Sequence, residues 1–158
     1  MRKVSVILGV RDDRVVPAQA INIICDVLKD FRDIRLEFAV VREAPSRALD
    51  MVGDEFVVLF DADGCYDPAD VRKVLLPLIE GRADLVLGNR RLPSAVVSVR
   101  DRVANSFLTW LAGHLFRVPV EDSQTGLRAF RRAALGLQVP ALRFLEVPVS
   151  YSQPGVQS

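Results

Sequence analysis

Strand-like and helix-like stretches alternate along this chain, and the third strand-like run, "FVVLF" at 56–60, is apolar at every position. A strand with one face in water alternates apolar and polar residues. A run without that alternation has to be covered on both faces. Strands of this kind interleaved with helices predict an α/β sandwich with a mainly parallel central sheet. Half of the 158 residues are hydrophobic, which suits a doubly covered sheet, and the length predicts one compact domain over 1–158.

The predicted elements follow in order. "KVSVILGV" is a first strand, and 16–31 places Ile21, Ile24, Cys25, Leu28 and Phe31 on one helical face. "IRLEFAVV" and "EFVVLF" are the next two strands, with a short helix predicted at 46–52 between them. Asp67 and Pro68 have the chemistry of a helix cap and first helical residue. Val71, Val74, Leu75, Leu78 and Ile79 follow at helical spacing, with Pro77 as a possible kink and Gly81 where a helix ends. "ADLVLGN" is a fourth strand and 100–116 a second long helix. "TGLRAFRRAALG" reads as a strand or turn followed by a short helix, and "LRFLEVPVSY" as a late strand.

Charge and cysteine content exclude several function classes. The net charge of +1 argues against a nucleic-acid partner. Cys25 and Cys65 have no metal-ligand spacing and form no disulfide framework. No apolar run is long enough to cross a bilayer, and the start has the pattern of a strand and not of a signal peptide. The expected setting is reducing and cytoplasmic, including the cytoplasmic face of a membrane.

"VVLFDADGCYDP" carries the chemistry. Asp61 and Asp63 fall where a buried strand emerges, and in open α/β sheets ligands bind beyond the carboxyl ends of the strands. In an extended Asp-x-Asp the two carboxylates share a face. Two hard oxygen donors suit Mg²⁺ or Mn²⁺, which usually also takes substrate phosphates. The other reading is a pair of capping carboxylates at a strand-to-helix turn; close carboxylates behind a buried strand are costly without a cation.

From Glu55 to Tyr151 the chain resembles the family 2 glycosyltransferases, most of all the dolichyl-phosphate mannose and glucose synthases. The resemblance rests on the order of four blocks: Asp-x-Asp-Gly, "GNR", "DSQTGLRAF" and "LEVPVSY". It implies a GT-A-like, Rossmann-like three-layer sandwich. It also implies transfer of a hexose from a nucleotide sugar (UDP- or GDP-hexose) to a polyprenyl (dolichyl) phosphate or related acceptor. Asp61 and Asp63 match the family's metal-binding carboxylates. Gly88, Asn89 and Arg90 match a block near donor sugar and acceptor, and Asn105 an asparagine on the following helix. Asp122, Gln124, Thr125, Gly126 and Arg128 match the acceptor-side block. Asp122 is the candidate catalytic carboxylate, as base or as an orienting group where the acceptor is an already ionised phosphate.

The departures concern the nucleotide half. Where the family has a proline and asparagine after the first strand, this chain has "VILGVRDD", leaving Asp12 or Asp13 as the acid. "FAVVREAPS" lacks the paired aspartates that hold base and ribose, and "REAPSRALDMVGDE" stands where the family has roughly one more strand and helix. "VPVSYSQPGVQS" carries no basic residue for the diphosphate, so Arg42, Arg47, Arg90, Arg91 and Arg128 are the available cations. A non-catalytic binding or regulatory protein with a degenerate nucleotide pocket is therefore the alternative. A haloacid dehalogenase-type phosphatase shares Asp-x-Asp-Gly, but Lys73, the only lysine after Asp63, comes too soon for that fold. His114, in "LTWLAGHLFRV", reads as a packed or surface histidine. Trp110, Leu111, Leu115 and Phe116 read as core or, with Arg100, Arg102 and Arg117, as a face for peripheral membrane contact. Cys65 fills space or sits where the family often has a polar residue near the metal.

Overall fold

The computed structural model of the chain describes residues 1–10, 17–42, 53–62, 64–89, 127–136 and 143–152. The elements are β1 (Arg2–Gly9), α1 (Ala18–Val27), β2 (Ile34–Val41), β3 (Phe56–Asp61), α2 (Val71–Ile79), β4 (Leu85–Asn89), β5 (Leu127–Arg131) and β6 (Phe144–Pro148). Short 3-10 turns, Pro68–Asp70 and Arg132–Gly136, lead into α2 and out of β5. The predicted helices at 46–52 and 100–116, with Asn105, Trp110 and His114, lie outside the described residues. Among the described residues no helix is long and apolar enough to cross a membrane.

The six strands form one sheet in the order β2-β1-β3-β5-β4-β6. β1 pairs in parallel with β2 and β3, and β4 in parallel with β6. β5 runs antiparallel between β3 and β4. The expected GT-A-like three-layer sandwich is thus borne out, with a mixed, largely parallel sheet at its centre.

Period-2 alternation sends the strand side chains to two faces. On the first face Val4, Val6 and Leu8, Phe56, Val58 and Phe60, and Leu127 and Ala129 pack against Ile24 and Leu28 and against Val71, Val74, Leu75 and Leu78. The α2 residues recur at i, i+3, i+4 and i+7, the spacing of one helical face. The second face is also buried, at Ile7, Val57, Leu59, Leu85, Leu87 and Phe130. Each fully buried Leu, Ile, Val or Phe contributes roughly 1.5–3 kcal/mol, so both faces hold the sheet.

Local chemistry sets the ends of α2. Asp67 accepts the Ala69 N–H at 2.9 Å, ahead of Pro68. At the other end Gly81 adopts φ +72°; its N–H bonds the Leu78 carbonyl at 3.1 Å and the Arg82 N–H bonds the Pro77 carbonyl at 2.9 Å. This 5→2 and 6→1 pair is the Schellman closure, which needs a left-handed residue. Pro77 lies in the last turn, two residues before the helix ends.

α1 differs from its expectation. The helix ends at Val27, and Cys25 is exposed. Burial centres on Ile24 and Leu28; Cys25, about 100° round from Ile24, falls off that stripe. Past the helix, Lys29 N–H bonds the Asp26 carbonyl and Phe31 N–H the Leu28 carbonyl. These tight turns bring the chain into β2 while Phe31 still packs on the core, under the Arg72 guanidinium.

Candidate functional site

The parallel strands deliver their carboxyl ends to one edge of the sheet. Gly9 of β1 lies opposite Asp61 of β3 on one side and Val41 of β2 on the other. Two bonds continue this alignment past the strands: Ala62 N–H to the Gly9 carbonyl at 2.9 Å, and Val10 N–H to the Val41 carbonyl at 3.0 Å. Asp61 is therefore the residue at which β3 leaves the core. It is half-buried, after five buried residues.

β5 enters at this same edge because it runs the other way. Leu127 lies opposite Phe60, and Arg128 opposite both Leu59 and Leu87. Alternation puts Arg128 on the second face with Leu59, the face that also carries Asp61 two residues on. Arg128 is 5% exposed. β4 ends at this edge with Gly88 and Asn89, paired with Val147 and Pro148 of β6.

Gly88 has a steric reason to be glycine. A Cβ there would stand 3.0 Å from Val149 Cγ2 and 3.1 Å from the Leu127 carbonyl oxygen. The absent side chain lets the segment after β6 lie across the end of β4. That segment continues onto the turn that follows β3. Ser150 N–H bonds Asp70 Oδ2 at 2.6 Å. Tyr151 forms an antiparallel bridge with Tyr66, their rings 5.1 Å apart, and Ser152 N–H bonds the Cys65 carbonyl at 2.9 Å. Gly64, at φ +95°, provides the reversal in the turn. Cys65 is buried within the hydrophobic cluster, so the space-filling reading of that thiol is the one its surroundings support.

Of the residues singled out in the sequence, the structure brings Asp61, Gly88, Asn89 and Arg128 to one edge of the sheet. Arg42 is exposed just beyond β2. Asp12, Asp13, Arg47, Asp63, Arg90, Arg91, Asn105, Asp122, Gln124, Thr125 and Gly126 lie outside the described residues. Among the described residues no group of three or more histidine, cysteine or acidic side chains forms a metal cage. A divalent ion shared between one or two carboxylates and substrate phosphates needs no such cage, and the hard oxygen donors of Asp61 fit that kind of ion.

Two residues near this edge were not singled out from the sequence. Asp70, 4% exposed, holds the segment after β6. Glu146 pairs with Leu87 across β4 and β6, and its Oε1 is buried with no hydrogen-bond partner among the described residues. The signal for Glu146 was a single acid within an otherwise apolar strand, "FLEVP".

The opposite edge is structural. Asp84, 3% exposed, accepts the Arg143 N–H at 3.0 Å and its guanidinium at 3.1 and 3.2 Å, with Arg131 Nε at 3.4 Å. Hydrogen bonding from the Arg143 side chain is the main force holding the Asp84 carboxyl below the usual carboxylate range, against the opposing effect of burial.

The sheet order, with its antiparallel β5 between parallel strands, defines the class: an α/β domain with a GT-A-like fold. The glucosyl-3-phosphoglycerate synthase of Mycobacterium tuberculosis, solved with Mn²⁺, uridine-diphosphate-glucose and phosphoglyceric acid, has this fold. It superimposes with a TM-score of 0.52 at 17% identity, over 97% of this chain and 73% of that one. The profile of glycosyl transferase family 2 matches residues 21–136, and the chain belongs to that family. Similar relatives include a UDP-N-acetylglucosamine–dolichyl-phosphate N-acetylglucosaminyltransferase of Methanococcus voltae. It is 38% identical over 98 residues, covering 58% of this chain and 38% of the relative. Another is the polyprenol monophosphomannose synthase of Mycolicibacterium smegmatis, 32% identical over 90 residues, covering 52% of this chain and 32% of the relative. The matches thus span about a third of the length of these curated relatives.

Proposed function

We propose that this chain forms the donor-binding domain of a hexosyltransferase that moves a sugar from a nucleoside diphosphate to a polyprenyl phosphate or related acceptor. One observation carries the reading: in a family 2 chain, Asp61 stands at the carboxyl end of β3, beside Gly9 and on the same face as buried Arg128. The relatives that act on dolichyl phosphate or make a polyprenol monophosphate sugar support the acceptor class.

Asp61, with Asp63, would hold Mg²⁺ or Mn²⁺. When bound, such an ion offsets charge developing on the leaving diphosphate. Arg128 supplies fixed positive charge on the same face, where an anionic donor or acceptor gains most from it. Gly88 and Asn89, at the end of β4, would with Arg90 serve the donor sugar and acceptor, Gln124, Thr125 and Gly126 would serve the acceptor side, and Asn105 would add a further substrate contact. Asp122 orients the acceptor or takes its proton. Asp12 or Asp13 would be the acid that serves the nucleotide.

A second reading, binding without turnover, has one observation in its favour. β2 is the edge of the sheet, and only residues 42–55 separate it from β3. That stretch leaves little room for groups that hold a base and ribose. Each lost hydrogen bond removes about 0.5–1.5 kcal/mol, more when charged. The expected result is weak, poorly base-selective nucleotide binding carried by the metal and diphosphate. Calorimetry with UDP and GDP, with and without Mn²⁺, checks this. Similar affinities for both, abolished by chelation, fit the proposal. No binding with Mn²⁺ present would contradict it and favour the non-catalytic reading.

A further inference from the structure

Asp70 stands at the start of α2, where an acidic side chain ordinarily serves the helix by accepting its unpaired N–H groups or meeting its dipole. It makes no side-chain cap bond. Asp67, three residues earlier, already does that work for the Pro68–Asp70 turn. The Asp70 carboxylate is almost wholly buried and reaches 80 positions along the chain, to the Ser150 N–H at 2.6 Å. Its other oxygen meets Lys73 Nζ at 2.9 Å, on the exposed side of the helix.

This bond is the middle link of a short series. Val149 rests on Gly88, Ser150 is held by Asp70, Tyr151 pairs with Tyr66, and Ser152 N–H bonds the Cys65 carbonyl. On one side of the series is the end of β4. On the other is the turn that begins at Asp61. Segment 149–152 lies outside the regular strands, so its position depends on these few contacts. A carboxylate accepting a backbone N–H in a buried setting is the strongest kind of bond among them.

We propose that Asp70 is a positioning residue for the metal and diphosphate end of the site. By gripping Ser150 it fixes segment 149–152 against the turn after β3, and so sets the turn that begins at Asp61. The proposal rests on the reading of that site given above. Asp70 itself touches neither metal nor substrate, and its effect is transmitted through the backbone of 64–66 and 149–152.

The test compares Asp70→Ala, Asp70→Asn and Lys73→Ala in two measurements. The first is calorimetric affinity for Mn²⁺ with GDP or UDP. The second is amide hydrogen exchange in the ligand-free protein. Asn keeps an acceptor oxygen for Ser150, Ala removes it, and Lys73→Ala removes only the exposed ion pair. The expected result is an affinity loss of about tenfold or more in Asp70→Ala, the size of one charge-assisted hydrogen bond. Asp70→Asn should lie within about threefold of the wild type, a difference below 1 kcal/mol, and Lys73→Ala should match the wild type. Exchange should rise in Asp70→Ala at Ser150 and Ser152, whose N–H groups are held by Asp70 and by the Cys65 carbonyl, while Val57–Phe60 stay protected. Wild-type affinity in Asp70→Ala, or a uniform loss of protection across the core, would overturn the proposal in favour of a purely structural role. Should the wild type bind no nucleotide, the site reading fails. The exchange arm then decides the clamp alone: unchanged protection at Ser152 overturns it, and selective loss there sustains it.

Discussion

Gly88 shows how one residue sets the shape of the candidate site. Its position is closed by a backbone oxygen and by a buried valine side chain, both a few tenths of an ångström too near for a Cβ, at 3.0–3.1 Å. The carbonyl of Leu127 belongs to a paired strand and has little freedom to move. Gly88→Ala is expected to cost about 1–3 kcal/mol, the usual range for overpacking a filled region. Urea unfolding of the variant checks it. A stability equal to wild type would mean that segment 149–152 yields easily and is not held as described.

At the scale of elements, the two edges of the sheet are built for different work. The edge away from the site is closed by Asp84, which ties the start of β4 to Arg131 at the end of β5 and to Arg143 just before β6. Its carboxyl is held below the usual range, so the folded state favours the ionised form more than the unfolded chain does. The resulting stability is fully present above the unfolded aspartate value of about 3.9. It is lost as the pH falls below that value and through the lowered value of the folded state. Asp84→Asn should cost about 1.5–3 kcal/mol at neutral pH, as charge-assisted hydrogen bonds do. Between about pH 5 and about pH 2 the wild type should lose more stability than the variant, so that the gap between them narrows. Thermal or urea unfolding across that range is the check; parallel pH curves would show that Asp84 is not the group responsible.

What was legible at this scale depended on local chemistry. The strand cores and the Gly81 end of α2 are decided by neighbours in sequence, and the structure has them where expected, while the Asp67–Pro68 cap starts a 3-10 turn that leads into α2 at Val71. The reversed direction of β5 was not legible, because a five-residue apolar strand looks the same in either orientation. Nor were Asp70 and Asp84. Each is a single acid whose partner lies 80 or 59 positions away, and no periodicity signals such a pairing. Cys25 was misplaced because its position borders the buried stripe of α1.

For the whole molecule, fold and family membership converge on one edge of one sheet. The GT-A-like frame brings Asp61, Arg128 and the end of β4 together although they come from three separate strands. Of the candidate site, the strand-end position of Asp61 was legible from "FVVLFD" alone, since an apolar run that ends in a carboxylate has to emerge from the core there.

The central claim is that the carboxylates at 61 and 63 hold a divalent ion that in turn holds a nucleoside diphosphate. The most direct measurement is calorimetric titration of GDP and UDP, in the presence of Mn²⁺, into the wild type, Asp61→Asn and Asp63→Asn, with the unfolding temperature of each recorded alongside. The account predicts binding by the wild type and a loss of about tenfold or more in each variant, as expected for removing one charged metal ligand. The unfolding temperatures should stay near that of the wild type, because relieving repulsion between two close carboxylates offsets what the substitution removes. Equal affinity in all three proteins would contradict the account and make the pair a turn cap instead of a metal site.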